Sequence, residues 1–272
     1  MSAPGFRLSP ASTWGLRVIV AVVLVFVYVP LVVVVINSFN ADVTFSWPPQ
    51  EFTLEWWKRA KDNSGMVDAL QQSIKVGLLA TAIALVLGSL AAFALQRNRF
   101  FGKQTVSLLI LLPIALPGIV TAIALSNAFT TILGVELSIW SLVIAHATFC
   151  IVVVFNNVAA RLRRLSGNIE EASMDLGATR FTTFRLVTLP NLGSALLAGA
   201  LLAFALSFDE IVVTTFTAGP TVQTLPIWIF GNLFRPNQAP VMNVVAAALT
   251  LVAIIPVWLA QRFGGDPANT RV

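Results

Sequence analysis

The sequence predicts an all-α integral membrane protein with six transmembrane helices. Hydrophobic residues make up 57% of the 272-residue chain and charged residues only 11%, whereas ordinary soluble domains carry roughly 25% charged residues. The apolar residues also form runs of about 20, the length of a helix that crosses a bilayer core of about 30 Å. We therefore predict a single transmembrane domain, 15–261, between the tails 1–14 and 262–272, with spans at 15–36, 69–95, 105–133, 138–160, 192–214 and 241–261.

The first and third spans have unusual features. Arg7 and Arg17 precede the first apolar run as they would in a signal peptide, but the run from Leu16 to Ile36 is longer than a signal core of about 7–15 residues. We expect it to be a retained span. The third span contains LLPIALPG, Leu111 to Gly118, whose two prolines predict a kink or break. Because lipid cannot satisfy freed backbone groups, this break is expected to face other helices or a watery cavity.

The basic residues predict the orientation. One set of tails and loops holds twelve Lys and Arg residues and the alternate set holds five, which accounts for all 17. Since cytoplasmic loops are enriched in Lys and Arg, the richer set, with both termini, is predicted to be cytoplasmic. The net charge of +5 therefore needs no nucleic-acid partner. The longest external segment is then 37–68, whose tryptophans suit either a short amphipathic helix on the lipid surface or a plain aromatic belt.

Several classes of site are excluded by composition. The single cysteine, Cys150, excludes an internal disulfide, and the single histidine, His146, excludes a histidine cluster. Both lie inside an apolar span, where membrane packing is the expected role. The chain has no G-x-x-x-x-G-K-[ST] motif, since the string Gly102 to Thr105 lacks the upstream glycine. We expect no catalytic residue, cofactor or metal in this chain.

The loop 161–190 is the largest of the predicted cytoplasmic loops. It reads RLRRLSGNIEEASMDLGATRFTTFRLVTLP and predicts a helix-turn-helix on the membrane surface. Asn168 is the predicted N-cap of the first helix, with Glu171 in its first turn in the manner of a capping box. Gly177 is predicted to end that helix in the left-handed conformation, and a second short helix is expected over 180–188. A solvated amphipathic connector is the alternative interpretation.

The same loop is similar to a known family motif. The spacing E-A-x-x-x-x-G, then nine residues, an aliphatic residue, one residue and L-P resembles the EAA motif of inner-membrane subunits of bacterial binding-protein-dependent ABC importers. Ser173 stands where that family usually has a second Ala. The segment 63–103 and the string LLPIALPGIV also resemble the family, so that the likeness extends over 60–261. The motif positions are Glu171, Ala172, Gly177, Val187, Leu189 and Pro190.

The resemblance implies both a fold and a set of partners. It implies a type I ABC importer permease fold in the bacterial plasma (inner) membrane, with the loop seated as a coupling helix in a cytoplasmic ATPase. The implied partners are two ATPase subunits, which bind ATP and Mg, an external substrate-binding protein and a second six-span permease subunit. That second subunit is either a paralogue or another copy of this chain. The chain itself is then a transport subunit without an ATPase site.

The predicted fifth span ends with two adjacent acids, Asp209 and Glu210. They follow Pro190 by about 28–30 Å of helix, so we expect them near the outer mouth of the membrane. Two carboxylates there would attract a cationic solute, or they would simply mark the end of the span. Because neighbouring helical residues lie about 100° apart, at most one should face the pathway. The stretch LSFDEIVVTTFTAGP resembles the spermidine/putrescine permeases, which implies polyamine uptake.

Alternatives stay open for the solute and for the other polar residues. Permeases for iron(III), thiamine, phosphonates or opines share the scaffold. Ser207, Asn127, Asn156 and Trp228 are further candidate pathway residues, although interhelical hydrogen bonds would also explain the two asparagines and interfacial anchoring the tryptophan. A stand-alone secondary carrier is the alternative of a different class. It would show inverted repeats and charges near the membrane centre, and the sequence shows neither.

Overall fold

The computed structural model describes residues 9–43, 46–98, 100–235 and 238–263. Within these ranges every regular element is a helix, and the β pairing is limited to an isolated bridge between Asn40 and Phe52. The helices are α1 (Pro10–Asn37), α2 (Glu55–Asp62), α3 (Ser64–Arg97), α4 (Lys103–Ala115), α5 (Gly118–Asn127), α6 (Ile139–Arg164), α7 (Gly167–Asp175), α8 (Arg180–Thr183), α9 (Leu189–Phe208), α10 (Val212–Thr217), α11 (Leu225–Asn232) and α12 (Ala239–Phe263), with π-helical segments at Ala128–Ile132 and Phe184–Thr188.

Most of both predicted tails, 1–8 and 264–272, lies outside the described residues. Among the described residues, four helical stretches are long and apolar enough to cross a membrane: α1, α3, α6 and the continuous helix Arg180–Phe208. The bent pair α4–α5 would make a fifth, and the apolar part of α12 found among the described residues, Ala239–Ile254, is shorter. The six-span count, the single domain and the orientation therefore stay predictions.

The predicted break in the third span is confirmed. The axes of α4 and of α5 with its π-helical extension differ by 104°. Leu116, the residue before Pro117, is extended, with φ −82° and ψ 147°. A proline disfavours helical backbone in the preceding residue, which explains why the chain turns at this point.

The predicted fifth span, 192–214, is two helices rather than one. Helix α9 ends at Phe208, and α10 begins at Val212. Asp209 is the C-cap of α9, and residues 209–211 separate the two helices. The hydroxyl of Thr214 also donates to the carbonyl oxygen of Glu210 at the break. Hydropathy could not reveal this interruption because the residues on both sides of it are apolar.

The described residues form two compact units. The first contains α1, α2 and 232–257, and no residue of α1 is buried within the chain. The segment 37–68, for which a short helix was one of two interpretations, contains α2. The indole N–H of its Trp56 donates to the carbonyl oxygen of Asn40 at 2.9 Å, and Trp57 stacks on Phe39. These two tryptophans therefore pack within the unit instead of forming an open belt.

The second unit contains 64–231 and is centred on α6, which packs against α3 and α9. Small residues allow the close approach. A Cβ atom on Gly88 would lie 2.9 Å from the carbonyl oxygen of Ile151, and one on Gly77 would lie 2.9 Å from the ring of Phe204. Interfaces of this kind are typical of membrane helices, where van der Waals packing drives association. The core thus joins the loop after α6 to the break after α9.

Candidate coupling loop and solute site

The loop 161–190, here called the coupling loop after its predicted role, has the predicted helix-turn-helix form, with one correction at its start. Helix α7 begins at Gly167 with Ser166 as N-cap, and Ser166 makes no side-chain capping bond. The predicted cap, Asn168, lies inside the helix, so the capping-box prediction is wrong. The predicted end is confirmed, because Gly177 is left-handed with φ +88°. Its N–H donates to the carbonyl oxygen of Met174 at 2.9 Å, which satisfies one carbonyl group at the helix end.

The second predicted helix of the loop, 180–188, continues directly into the next span. It consists of α8 and the π-helical segment Phe184–Thr188, followed without interruption by α9. Pro190 has no N–H and would crowd the carbonyl group one turn earlier in a regular helix. A wider π-helical turn relieves this conflict. The loop is therefore rigidly continuous with the helix that leads to the acid pair.

Side-chain bonds connect the loop internally and tie it to α3 and α9. The carboxylate of Glu170 accepts from Nη2 of Arg97 at 2.9 Å and from the hydroxyl of Thr188 at 3.0 Å. Arg161, near the end of α6, donates from Nε to the carbonyl oxygen of Asn191 at 2.9 Å. The sequence did not single out Glu170 as a functional residue, although it lies next to Glu171, the first residue of the motif.

The motif residues lie mostly on the exposed side of this loop. Val187 is half-buried, and Glu171, Ala172, Gly177, Leu189 and Pro190 are exposed. Leu176 is 90% exposed and Phe181 71% exposed. Glu171 has no hydrogen-bond or ion-pair partner among the residues that the structure describes. The loop thus has an acid and large apolar side chains that the described residues leave exposed.

The acid pair lies at the break between α9 and α10, and its two members differ. The side chain of Glu210 is half-buried, and its Oε1 accepts from the backbone N–H of Val213 at 2.8 Å. It therefore caps the start of α10. Asp209 is exposed and has no side-chain partner within the described ranges. The expectation that at most one of the two acids faces the pathway stays a prediction.

A buried histidine bridges the break. His146 is fully buried, with Nδ1 2.8 Å from the hydroxyl of Ser207 and Nε2 3.0 Å from the hydroxyl of Thr214. Thr214 donates its only hydroxyl proton to the carbonyl oxygen of Glu210, so Nε2 of His146 is the donor in its pair and Nδ1 accepts from Ser207. The sequence suggested only packing for His146. Its polar bridge was missed, although an ionisable residue inside a span is a signal of function.

Helices α6 and α9 lie in a defined register. Arg161 and Asn191 are bonded near one end, and His146 lies about 22 Å from Arg161 along α6. Helix α6 continues for about another 10 Å beyond His146, to Ile139. Ser207, which lies shortly before the acid pair, is bonded to His146. The depth of the acids in the membrane stays a prediction.

The other candidate pathway residues fall into two groups. Ser207 is 4% exposed and Trp228 5% exposed, so neither side chain is open to a solute in this conformation. Asn127 and Asn156 are exposed, and neither side chain bonds to another described residue. The structure therefore does not show the internal interhelical bonds that would have explained these two asparagines.

Comparison with known proteins identifies the family. Residues 84–264 match the family described as binding-protein-dependent transport system inner membrane component. The chain belongs to this family. It is a permease subunit of an ABC importer and a multi-pass protein of the bacterial inner membrane.

Relatives cover nearly the whole permease. The spermidine/putrescine transport system permease protein PotC of Escherichia coli K12 is 35% identical over 242 residues, 89% of this chain and 90% of that protein. The putrescine transport system permease protein PotI of the same strain is 33% identical over 265 residues, 92% of each chain. A putative 2-aminoethylphosphonate permease protein, PhnV of Salmonella choleraesuis, is 30% identical over 250 residues, 88% of this chain and 92% of that protein.

Solved structures show the same fold. A bacterial ABC transporter involved in import of the acidic polysaccharide alginate aligns with a TM-score of 0.72 at 16% identity, covering 96% of this permease and 99% of that chain. The MetNI methionine ABC transporter, in inward-facing conformations, aligns with a TM-score of 0.57 at 18% identity, covering 73% and 92%. The all-α type I importer permease fold predicted from the sequence is thereby confirmed.

Proposed function

We propose that this permease imports polyamines, spermidine or putrescine, delivered by an external binding protein and driven by two cytoplasmic ATPase subunits that bind ATP and Mg. The observation that carries the proposal is the exposed, unpartnered carboxylate of Asp209 at the α9–α10 break. Relatives named for spermidine and putrescine, 33–35% identical over about nine-tenths of the chain, support it.

The chemistry of this carboxylate favours a cation. An ionised group within the depth of a membrane is costly unless it has a partner or faces water. An alkylammonium group supplies a charge-assisted hydrogen bond and leaves its carbon chain for apolar walls. A phosphonate would be repelled by the same charge, so an anionic solute is disfavoured. Iron(III), thiamine and opines are the alternatives that a competition assay must exclude.

Exposed polar side chains in apolar segments support a second permease subunit. Asn127, Asn156 and Asp209 are polar side chains of apolar segments that lie on the surface of the isolated chain. Lipid offers them no hydrogen bonds, so they need a watery pathway or another protein beside them. We propose that a second six-span subunit closes the pathway over these residues. It is a paralogue or another copy of this chain.

The proposed ATPase site is the exposed surface of the coupling loop. Glu171 supplies a charge at its centre, and Leu176 and Phe181 supply apolar side chains that a groove would bury. Large exposed apolar groups rimmed by polar ones are typical of protein interfaces. A short helix continuous with α9 would pass closure of the ATPases to the break as a rigid-body motion.

Co-purification tests the partners. The chain is purified in detergent from cells that express its neighbouring genes, and an ATPase and a second permease chain should accompany it. Glu171→Lys should release the ATPase because it reverses a charge at the proposed contact. Glu51→Lys, at an exposed acid of the predicted external segment, is the matched control and should retain it. Uptake by the chain alone in liposomes without ATP would refute the proposal.

Uptake of labelled spermidine tests the solute. The double variant Asp209→Asn with Glu210→Gln should abolish uptake while the complex still assembles. Unlabelled thiamine, an opine or ferric citrate in excess should not compete, whereas putrescine should. Unchanged uptake in the double variant would remove both acids from the pathway, and absence of uptake by the wild type would rule out this solute.

A further inference from the structure

The carboxylate of Glu170 is the meeting point of three helices. It belongs to α7, it accepts from Arg97 in the last turn of α3, and it accepts from Thr188 in the turn that leads into α9. The side chains of Arg97 and Glu170 are only 28% and 21% exposed, and Thr188 is buried. Charge-assisted bonds of this kind are roughly twice as strong as neutral ones, and partial burial limits their screening by salt.

Both helices that Glu170 joins lead to the region around the break. Near its other end, α3 holds the start of α11, because the hydroxyl of Ser73 accepts from the N–H of Leu225 at 2.8 Å. Ser73 lies about 36 Å from Arg97 along the helix. At its other end, α9 is bonded through Ser207 to His146. A continuous path of bonded and packed groups therefore runs from one carboxylate along two helices to the helices beyond the acid pair.

We propose that Glu170 is a positioning residue that couples the loop to α3 and α9, and that Glu171 beside it serves only the ATPase contact. The proposal rests on the function proposed above for the loop. Consecutive residues of α7 point about 100° apart, so one acid is held within the chain while the next stays exposed. Loss of the Glu170 charge should leave the ATPase attached but let α7 move without carrying α3 and α9.

Hydrogen exchange on the purified chain tests whether Glu170 ties the loop to α3 and α9, without any solute or partner. Glu170→Gln keeps the size of the side chain and removes its charge. It should accelerate amide exchange across 167–190 by roughly fivefold, as expected when one stabilising tie of a local structure is lost. Glu171→Gln, at the neighbouring exposed acid, should leave exchange unchanged. Equal exchange in both variants would overturn the proposal.

Transport by the assembled complex tests the coupling role. Glu170→Gln should retain the co-purifying ATPase and its ATP hydrolysis, while spermidine uptake per ATP falls roughly tenfold, within the 5–150-fold range typical of coupling between sites. The charge-swapped variant, Arg97→Glu with Glu170→Arg, should recover much of that loss, whereas either single reversal should not. A residue that acted only in folding would lower assembly, uptake and hydrolysis together.

The outcomes separate this inference from the proposed function. Release of the ATPase by Glu170→Gln to the same extent as by Glu171→Gln would overturn the inference and leave the importer intact. Failure of the charge swap to recover coupling would also overturn it. Absence of any ATPase with the wild-type chain would instead refute the proposed function. The exchange experiment would still decide whether Glu170 ties the loop to α3 and α9.

Discussion

The chain contains two pairs of neighbouring acids whose two members differ in the same way. One pair is Glu170 with Glu171 in the coupling loop, and the other is Asp209 with Glu210 at the α9–α10 break. In each pair one carboxylate is bonded within the chain and the other is exposed without a partner among the described residues. In α7 the division follows from helical geometry, since adjacent side chains point about 100° apart. Asp209 and Glu210 lie between two helices, and there Glu210 is held by its bond to Val213. An acidic dipeptide at a helix end can therefore supply both a structural tie and a free charge.

The two pairs differ in what the bonded acid holds. Glu170 reaches a residue 73 positions away, Arg97, and so ties separate helices together. Glu210 reaches only Val213, three positions on, and so ties a helix start to itself. The break depends on another residue, His146, for its link to α6. The loop is thus tied to neighbouring helices, whereas the break is held by a local bond and by His146.

The largest expected effect separates the two acids of the break. Asp209→Asn should raise the KM for spermidine about 10–100-fold, the loss expected when a charged hydrogen bond of about 1.5–3 kcal/mol is removed. Glu210→Gln should change KM less than about twofold, because the amide oxygen can still accept from the Val213 N–H. Uptake over a range of spermidine concentrations measures both. A larger effect of Glu210→Gln would reverse the assignment.

The next largest effect concerns the turn that follows α10. A Cβ atom on Gly219 would clash with the carbonyl oxygen of Leu137 and lie 2.9 Å from Cα of Ser138. Because both neighbours are backbone, Gly219→Ala should destabilise the chain by about 1–3 kcal/mol or more. Gly231→Ala is the control, since nothing lies within 4 Å of the added atom. Thermal unfolding in detergent compares the two, and equal midpoints would show that the close approach is not maintained.

His146 offers a smaller and more specific test of the break. His146→Leu removes the partner of the buried Ser207 hydroxyl, at a cost of about 1–3 kcal/mol for an unsatisfied polar group. His146→Gln can donate one hydrogen bond and accept one, so it should recover part of the loss. Thermal unfolding measures stability, and spermidine KM reports whether Asp209 has moved. A His146→Leu variant as stable as the wild type would show that the bridge does not hold the break.

The smallest expected effect concerns the turn of the coupling loop. Gly177→Ala forces a Cβ atom into left-handed backbone at φ +88°, which costs about 1–2 kcal/mol. Gly167→Ala, at the first residue of α7, has open space around it and no positive φ. The yield of co-purified ATPase should fall for Gly177→Ala and not for Gly167→Ala. Equal yields would indicate that the turn is not needed to present Glu171.

Local patterns predicted the features that depend on short stretches of chain. The proline pair of LLPIALPG predicted the bend after α4, and Gly177 predicted the end of α7, because each acts through its own backbone. The cap of α7 was misplaced by two residues, since several polar residues near 166–168 are acceptable caps and the choice between them depends on the path of the chain from α6.

The sequence by itself determined the membrane class, the helical fold, the coupling motif and the presence of two acid pairs, because these depend on composition and spacing. Only the tertiary structure decided which acid of each pair is free, that α9 ends at Phe208, and that His146 spans the break. The physical reason is that most of these outcomes depend on contacts between residues far apart in the chain, such as Arg97 with Glu170 and His146 with Ser207, whereas Glu210 bonds to Val213 nearby. No local pattern encodes such long-range contacts. In a helix, adjacent side chains point about 100° apart, so one can be buried while the next is exposed.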